Sequence, residues 1–201
     1  MSSFSQRFYH FIYYPAKVIF RFKHPVMRVY GKENLPAGAA VLCGNHSAFS
    51  DPVWIILAAK PKHIFRCMAK RELFETPILK CFFKKVGAFP VDRTANDINA
   101  IKTAMRVLRD DDKVLIFPEG TRIRNGKRSE PHGGAVLIAA RTGVPIVPIY
   151  VSTDKRFWKP MSVVFGEPYY PKTAERRATN EEIRTLSEEL MNRIYALGET
   201  L

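Results

Sequence analysis

The sequence is short of acidic side chains, and this shortage bounds the kind of partner the chain can bind. Asp and Glu together number 19 against 32 Lys and Arg, which leaves a formal net charge of +13 at pH 7. A cationic surplus of this size favours an anionic partner, such as a nucleic acid, an anionic membrane surface or a phosphorylated small molecule. The net charge does not distinguish among these three kinds of partner, so the sequence motifs have to be considered.

Cysteine is scarce as well, and its scarcity argues against a disulfide framework. The three residues Cys43, Cys67 and Cys81 are odd in number and share no metal or redox motif, which indicates a reducing compartment. A zinc site made from Cys43, His46 and His63 lacks a recognisable ligand spacing. Cys43 ends an apolar run, so we expect it in the core rather than as a nucleophile.

Long apolar runs are missing too. No stretch reaches the roughly 20 apolar residues that a spanning helix requires, and the N-terminus lacks the pattern of a cleavable signal peptide. The sequence shows no internal repeat and no low-complexity tract. With 201 residues, 46% of them hydrophobic and 25% charged, we expect one ordered globular domain with a substantial core.

The first 24 residues differ in character from the rest. Cations and aromatic residues are concentrated here, and the pattern predicts an amphipathic helix lying in a membrane interface. Pro15 indicates two short helices or a kink. The alternative is a helix packed on the domain with its basic edge in solvent. The polar, mostly basic side comprises Arg7, His10, Tyr14, Lys17 and Arg21, and the apolar side comprises Phe8, Phe11, Ile12, Val18, Ile19 and Phe22.

From residue 26 onward, short apolar strands alternate with amphipathic helices. This alternation predicts an α/β domain with a mostly parallel sheet flanked by helices. In such sheets ligands gather at the carboxyl ends of the strands. The predicted strands are residues 26–30, 39–43, 64–68, 88–91, 114–117, 145–151 and 161–165, and the predicted helices are residues 52–59, 70–85 with a break at Pro77, 97–109, 133–141 and 180–197.

A histidine and an aspartate follow the second predicted strand. Asn45 and His46 form a turn, and Asp51 with Pro52 opens the next helix, with Asp51 as the predicted N-cap. A bent turn would let the Asp51 carboxylate reach the His46 imidazole, fix its tautomer and so create a general base. The alternative is that Asp51 only caps the helix and His46 is a polar turn residue.

Cationic side chains follow three other strands. Arg93 and Arg122 offer planar charged forks that suit bidentate phosphate binding, although either alone is more often a surface arginine. Lys70, after the strand at residues 64–68, is a further candidate for binding an anion or polarising a carbonyl.

The run Glu119-Gly120-Thr121 lies between the strand at residues 114–117 and Arg122. It offers a carboxylate, a backbone that can approach a ligand closely, and a hydroxyl. Glu119 would orient the arginines or bind a substrate hydroxyl. A tight turn stabilised by its own side chains is the alternative.

Four blocks of the sequence resemble the motifs of the glycerolipid acyltransferases, most closely the bacterial lysophosphatidic acid acyltransferases. Residues 45–51 resemble the Asn-His-x4-Asp motif, and residues 117–122 read Phe-Pro-Glu-Gly-Thr-Arg about 70 residues downstream. Residues 87–93 and 144–150 resemble the second and fourth blocks. The order and spacing of all four agree across residues 39–150, which makes the resemblance specific.

The resemblance implies a reaction and roles for the candidate residues. The family moves an acyl chain from a thioester to the sn-2 hydroxyl of lysophosphatidic acid, giving phosphatidic acid in phospholipid biosynthesis. A thiolate leaves readily, so no metal and no other cofactor is expected, and acyl-CoA or acyl carrier protein thioester serves as co-substrate. By this resemblance His46 and Asp51 are catalytic, and Arg93, Glu119, Gly120, Thr121 and Arg122 bind the acceptor. Asn45, within the first motif, and Lys70, from its place after a predicted strand, are candidate supporting residues.

The resemblance also implies where the chain works. We expect a glycerolipid acyltransferase-like fold, with an amphipathic membrane-interface segment at residues 1–24 and an acyltransferase domain at residues 25–201. Its partners would be a lysophospholipid, a thioester donor and an anionic membrane surface, at the cytoplasmic face of the cell membrane and with peripheral or monotopic attachment. No nucleic-acid motif is present, so no nucleic acid is expected. The alternatives are an enzyme for another lysophospholipid, or a non-catalytic module that binds anionic membranes.

Overall fold

The fold is an α/β sandwich, seen in a computed structural model that describes residues 3–61, 64–92, 97–122, 130–172 and 178–201, with side chains from Gln6 onward. In these residues a single sheet lies between two layers of helices. The strands are β1 (Met27–Tyr30), β2 (Ala40–Gly44), β3 (Phe65–Lys70), β4 (Phe89–Val91), β5 (Lys113–Ile116), β6 (Ile146–Val151) and β7 (Met161–Phe165). The helices are α1 (Ser3–Lys23), α2 (Asp51–Ala59), α3 (Pro77–Lys85), α4 (Ile98–Arg109), α5 (Gly134–Thr142) and α6 (Asn180–Glu199).

The sheet is mostly parallel, as predicted. Its strand order is β1-β7-β6-β2-β5-β3-β4. The five strands from β6 to β4 are parallel, β7 is antiparallel to β6, and β1 is parallel to β7. In this register Cys43 of β2 lies opposite Ile116 of β5 and Pro148 of β6, so these three strands end at the same edge.

Two apolar cores lie on the two faces of the sheet. Leu42 belongs to a cluster that includes Trp54 of α2, whereas Cys43 belongs to a second cluster that includes Ile138 of α5. Successive strand residues point to opposite faces, so the near-continuous apolar sequence of β2 serves both cores. Burial raises the pKa of the Cys43 thiol, which confirms it as a core side chain.

The sequence predicts that Ile98, Ile101, Met105 and Leu108 share the buried face of α4, and three of the four do so. Leu108 is buried, and Ile101 and Met105 are partly buried against the same cluster. Ile98, in the first turn, is 62% exposed instead. Helix α4 also packs against α5 and buries the small side chains of Ala100 and Ala104.

The N-terminal helix is continuous through Pro15 and packs on the domain. Tyr13 is buried in the same cluster as Trp54, and its hydroxyl donates to the Leu57 carbonyl at 3.2 Å. The Phe20 ring meets Trp54 edge-on, with centroids 4.8 Å apart. One side of α1 therefore covers the core, while the division of function at residue 24 stays a prediction. No helix in the described ranges is long and apolar enough to cross a bilayer.

Candidate active site

The turn between β2 and α2 brings His46 and Asp51 together. Asp51 Oδ2 lies 3.0 Å from His46 Nδ1 and also accepts the backbone N–H groups of Ser47 and Ala48, each at 2.7 Å. Asp51 is the first helical residue, and the N-cap is Ser50, so the predicted cap was wrong by one position. The carboxylate turns back into the loop because the Ser47 and Ala48 amides and the imidazole converge on its Oδ2.

The His46 imidazole is held on several sides. It is buried, and the Phe117 ring stacks on it with centroids 4.4 Å apart. An ionised carboxylate can only accept a hydrogen bond, so Nδ1 carries the proton that faces Asp51, and in the neutral ring Nε2 is the unprotonated nitrogen. Among the described residues, no protein group hydrogen-bonds to Nε2. The ring is thus arranged to accept a proton from a bound molecule.

Glu119 supports this turn from β5. It is 1% exposed, its Oε2 accepts the His46 backbone N–H at 2.8 Å, and its Oε1 accepts the hydroxyl of Tyr195 from α6. Burial raises the pKa of Glu119, an effect that the bonds from Tyr195 and His46 only partly offset. Both oxygens therefore bond to the protein, and the predicted acceptor-binding role of Glu119 remains a prediction.

Asn45 joins two neighbouring strand ends. Its side-chain amide donates to the Val151 carbonyl at 2.9 Å, and its oxygen accepts the Val151 N–H at 2.8 Å. Because Asn45 is completely buried, this paired bond fixes the end of β2 against the end of β6. The residue directly before His46 thus has a positioning role.

A lysine from the loop after β6 completes the site, and sequence reasoning missed it. Lys155 Nζ lies 2.6 Å from Asp51 Oδ1, and its side chain is 10% exposed. Burial favours a higher pKa for Asp51, but the hydrogen bond from His46, the charge of Lys155 and the Ala48 amide outweigh it, so this pKa lies below its ordinary value. The available signal was a cation just beyond the strand at residues 145–151.

The other candidates at the end of β5 lie on a tight turn. Gly120 has φ of +64°, and a Cβ there would clash with the His132 ring, so both its conformation and its neighbour require glycine. Thr121 and Arg122 are exposed. Their position at the carboxyl edge agrees with the prediction, and their binding roles remain predictions.

Lys70 ends β3, and its ammonium forms an ion pair with Glu72 at 2.7 Å, with both side chains about half exposed. Strand β5 separates β3 from β2, so Lys70 stands one strand farther from His46 than Glu119 does. Nothing in the described contacts joins Lys70 to the His46 turn.

Two residues considered from the sequence, Arg93 and His63, lie outside the described residues. The strand that precedes Arg93 is β4, at the edge of the sheet. In the described part of the chain, no group of three or more His, Cys, Asp or Glu side chains is arranged to hold a metal ion.

A cavity of about 170 Å³ lies at the same edge of the sheet. Its lining includes Val91 and Asp92 after β4, Gly120 after β5 and His132 before α5. Phe117 also lines it, and the same ring stacks on His46. The cavity is therefore separated from the imidazole by one aromatic ring.

Comparisons with known proteins find related acyltransferases. A family model described as acyltransferase matches residues 26–152. The 1-acyl-sn-glycerol-3-phosphate acyltransferase of Bacillus subtilis is 34% identical over 199 residues, covering 96% of this chain and 98% of that protein. The protein of that name from Streptococcus pneumoniae is 41% identical over 110 residues, covering 54% of this chain and 40% of its own length.

A solved structure shares the fold. The crystal structure of the 1-acyl-sn-glycerophosphate acyltransferase from Thermotoga maritima superimposes with a TM-score of 0.70 at 24% identity, covering 96% of this chain and 79% of that one. The family match spans the β2 turn with His46 and Asp51, the β5 turn with Glu119, and the end of β6. The chain therefore belongs to the acyltransferase family.

Proposed function

We propose that this protein acylates the sn-2 hydroxyl of lysophosphatidic acid with an acyl group from a thioester, giving phosphatidic acid in phospholipid biosynthesis. A relative named for the acylation of 1-acyl-sn-glycerol-3-phosphate aligns with almost the whole chain. The observation that carries the proposal is the His46 imidazole, fixed on Asp51 through Nδ1 and without a described protein partner at Nε2. This arrangement suits an acceptor that must lose a proton as it attacks.

The chemistry follows from this geometry. Nε2 of His46 removes the proton of the acceptor hydroxyl while the oxygen attacks the thioester carbonyl. The tetrahedral intermediate collapses, the C–S bond breaks, and the thiolate takes the proton that His46 received. Asp51 stabilises the imidazolium in between. A thiolate leaves readily, so the mechanism requires no metal, no organic cofactor and no acyl-enzyme.

The acceptor phosphate is assigned to the cationic end of β5. Arg122 lies two residues beyond the turn that holds Gly120, and its guanidinium is exposed at the edge where His46 lies. A planar charged fork binds phosphate bidentately. Arg93 is assigned the same role from its place in the sequence, and Thr121 offers a hydroxyl beside it.

The donor is a thioester of coenzyme A or of acyl carrier protein. Both are anionic, and the net charge of +13 attracts either. Assays with both carriers, several acyl lengths and several lysophospholipids identify the donor and the acceptor head group. A non-catalytic membrane module would give no turnover with any of them.

We propose that the exposed side of α1 contacts an anionic membrane at the cytoplasmic face. Phe11, Val18, Ile19 and Phe22 are each 65% or more exposed, which is unusual for side chains of this size. Phe8 is turned instead toward α3, where its ring meets the ring of Phe82.

The loop after β6 extends this apolar side. The Phe157 ring meets the Phe22 ring edge-on, with centroids 6.1 Å apart. Phe157 and Trp158 are more than half exposed. The backbone N–H of Trp158 donates to the Lys23 carbonyl at 3.0 Å, and His24 Nδ1 donates to the Lys159 carbonyl at 2.7 Å. The loop is therefore fixed to the end of α1.

The charge of α1 complements anionic lipid. The helix contains Arg7, Lys17, Arg21 and Lys23, all exposed, and its sequence contains no Asp or Glu. Each cation near an anionic surface contributes about 1 kcal/mol to the free energy of membrane binding, and salt screens this attraction. Insertion of aromatic side chains is not screened, so attachment would weaken at high salt without being lost.

His46→Ala should leave the fold intact and lower kcat by at least ~100-fold, because general-base catalysis contributes on that scale. Asp51→Asn should lower kcat as well, since it disturbs the tautomer and orientation of the ring. The measurement is thioester-dependent acylation of dispersed lysophosphatidic acid, with the exposed His10→Ala as the matched control. A folded His46→Ala protein with near wild-type turnover would refute the mechanism.

Arg122→Ala should raise the acceptor KM tenfold or more and the donor KM far less, because a charge-assisted contact contributes roughly 1.5–3 kcal/mol. Arg122→Lys should rescue only part of the loss, since lysine lacks the planar fork. The control is Arg109→Ala, an exposed arginine at the end of α4 that precedes β5 and so lies near the opposite edge of the sheet. Equal losses toward donor and acceptor would assign Arg122 a structural role instead.

The double variant Ile19→Ser with Phe22→Ser should bind anionic vesicles at least tenfold more weakly, because burying each such side chain contributes about 1.5–3 kcal/mol. Substitution is preferable to deletion of residues 1–24, since α1 covers Trp54. The control is Tyr170→Ser, which is exposed near the start of β6. Co-sedimentation at low and high salt measures binding, and unchanged binding would place the membrane contact elsewhere.

A further inference from the structure

A largely buried lysine, with a side chain 10% exposed, lies on the far side of the His46–Asp51 pair. Lys155 lies four residues beyond the end of β6, and its Nζ is 2.6 Å from Asp51 Oδ1. His46 contacts the other oxygen, Oδ2, at 3.0 Å. Asp51 is completely buried, so one carboxylate joins two cationic or potentially cationic side chains out of contact with water.

The lysine ammonium is held by three protein groups. Besides the ion pair with Asp51, Nζ donates to Ser47 Oγ at 2.6 Å and to the Ser152 carbonyl at 2.9 Å. Two of the three N–H donors of a protonated lysine are used in these hydrogen bonds, and the third protein group at contact distance is the Asp51 carboxylate. Lys155 therefore acts on the reaction through Asp51 and not by direct contact with the acyl donor or the acceptor.

The charge of Lys155 matters most before the reaction begins. A general base must be unprotonated before the reaction, so without Lys155 the buried Asp51 carboxylate would face no cation, which is strongly unfavourable. Without Lys155, the His46–Asp51 pair would relieve the uncompensated charge by taking up a proton, and His46 could then no longer act as a base. Lys155 supplies the missing countercharge.

We propose that Lys155 is a positioning residue of the catalytic pair, which keeps Asp51 ionised and oriented and keeps the pair from taking up a proton before the acceptor supplies one. The proposal rests on the acyl-transfer function proposed above. It assigns the loop after β6, which lies outside the sequence blocks that resemble the acyltransferase motifs, an indirect part in the chemistry through Asp51.

The other titratable groups around the pair make this countercharge more necessary. Glu119 accepts the His46 backbone N–H from the β5 side, and Tyr195 of α6 bonds to Glu119 in turn. An anionic Glu119 would favour the imidazolium. On the loop itself Asp154 and Arg156 pair with each other in solvent, so Lys155 is the cation on that loop that faces the pair.

The test compares Lys155→Met with Lys159→Met, which removes the same charge from an exposed position of the same loop. For Lys155→Met we expect kcat at least tenfold lower, with both KM values within about twofold of wild type. In the dependence of kcat/KM on pH, the acidic limb reports protonation of the His46–Asp51 pair as a unit. This limb should shift to higher pH by about one unit. Lys155→Arg should restore the position of that limb, because it keeps the charge.

A second variant guards against a Lys155→Met protein that does not fold. Ser47→Ala removes one contact of the ammonium and leaves the Ser47 backbone bond to Asp51 in place, so the limb should move in the same direction by less. A lower kcat with an unmoved limb in both variants would overturn the proposal, as would Lys155→Met behaving like Lys159→Met.

A failure of the acyl-transfer proposal is distinguishable, because it would appear as no turnover by the wild-type protein. Proton uptake by the pair is then followed by NMR of the His46 ring in the wild type and the same variants. Uptake at higher pH in Lys155→Met than in Lys159→Met supports the role of Lys155 without any reference to turnover. Identical uptake in the two variants would overturn it.

Discussion

The site depends on one buried carboxylate. One oxygen of Asp51 accepts hydrogen bonds from the His46 imidazole and from the backbone amides of Ser47 and Ala48. The other oxygen forms an ion pair with Lys155. An isolated anion at this depth would be very unfavourable, so the surrounding donors are required for the carboxylate to remain charged. They also bend the turn that brings the histidine to the carboxyl edge of the sheet. The same contacts of Asp51 therefore hold the His46 imidazole and shape the turn that carries it.

The strand order explains how distant segments reach this carboxylate. Strand β2 is flanked by β5 and β6, so the loops that follow these three strands meet at one edge. The loop after β6 faces two ways: Lys155 points inward to Asp51, while Phe157 and Trp158 are exposed beside the end of α1. A single loop thus connects the proposed membrane side of the protein to the His46–Asp51 pair.

The sequence predicted the parts of this site that lie within a few residues of each other. Alternating strands and helices predicted the parallel sheet, and the five-residue spacing of His46 and Asp51 predicted their contact once a bent turn was assumed. Lys155 and Tyr195 were missed because they approach from segments 104 and 76 residues away from their partners Asp51 and Glu119, and only the tertiary fold defines that proximity. The packing of α1 on Trp54 was only an alternative, since its tyrosines and phenylalanines suit either a core or a lipid surface.

The most direct test of this account is the tautomer of His46 in the resting protein. Long-range ¹H–¹⁵N NMR of a histidine-labelled sample reports which ring nitrogen carries the proton at neutral pH. The account predicts a neutral ring with the proton on Nδ1, facing Asp51, and a bare Nε2, and it predicts that Asp51→Asn disturbs this state. A neutral ring protonated on Nε2 in the wild-type protein would contradict the account, because the base would then have no free lone pair for the acceptor hydroxyl.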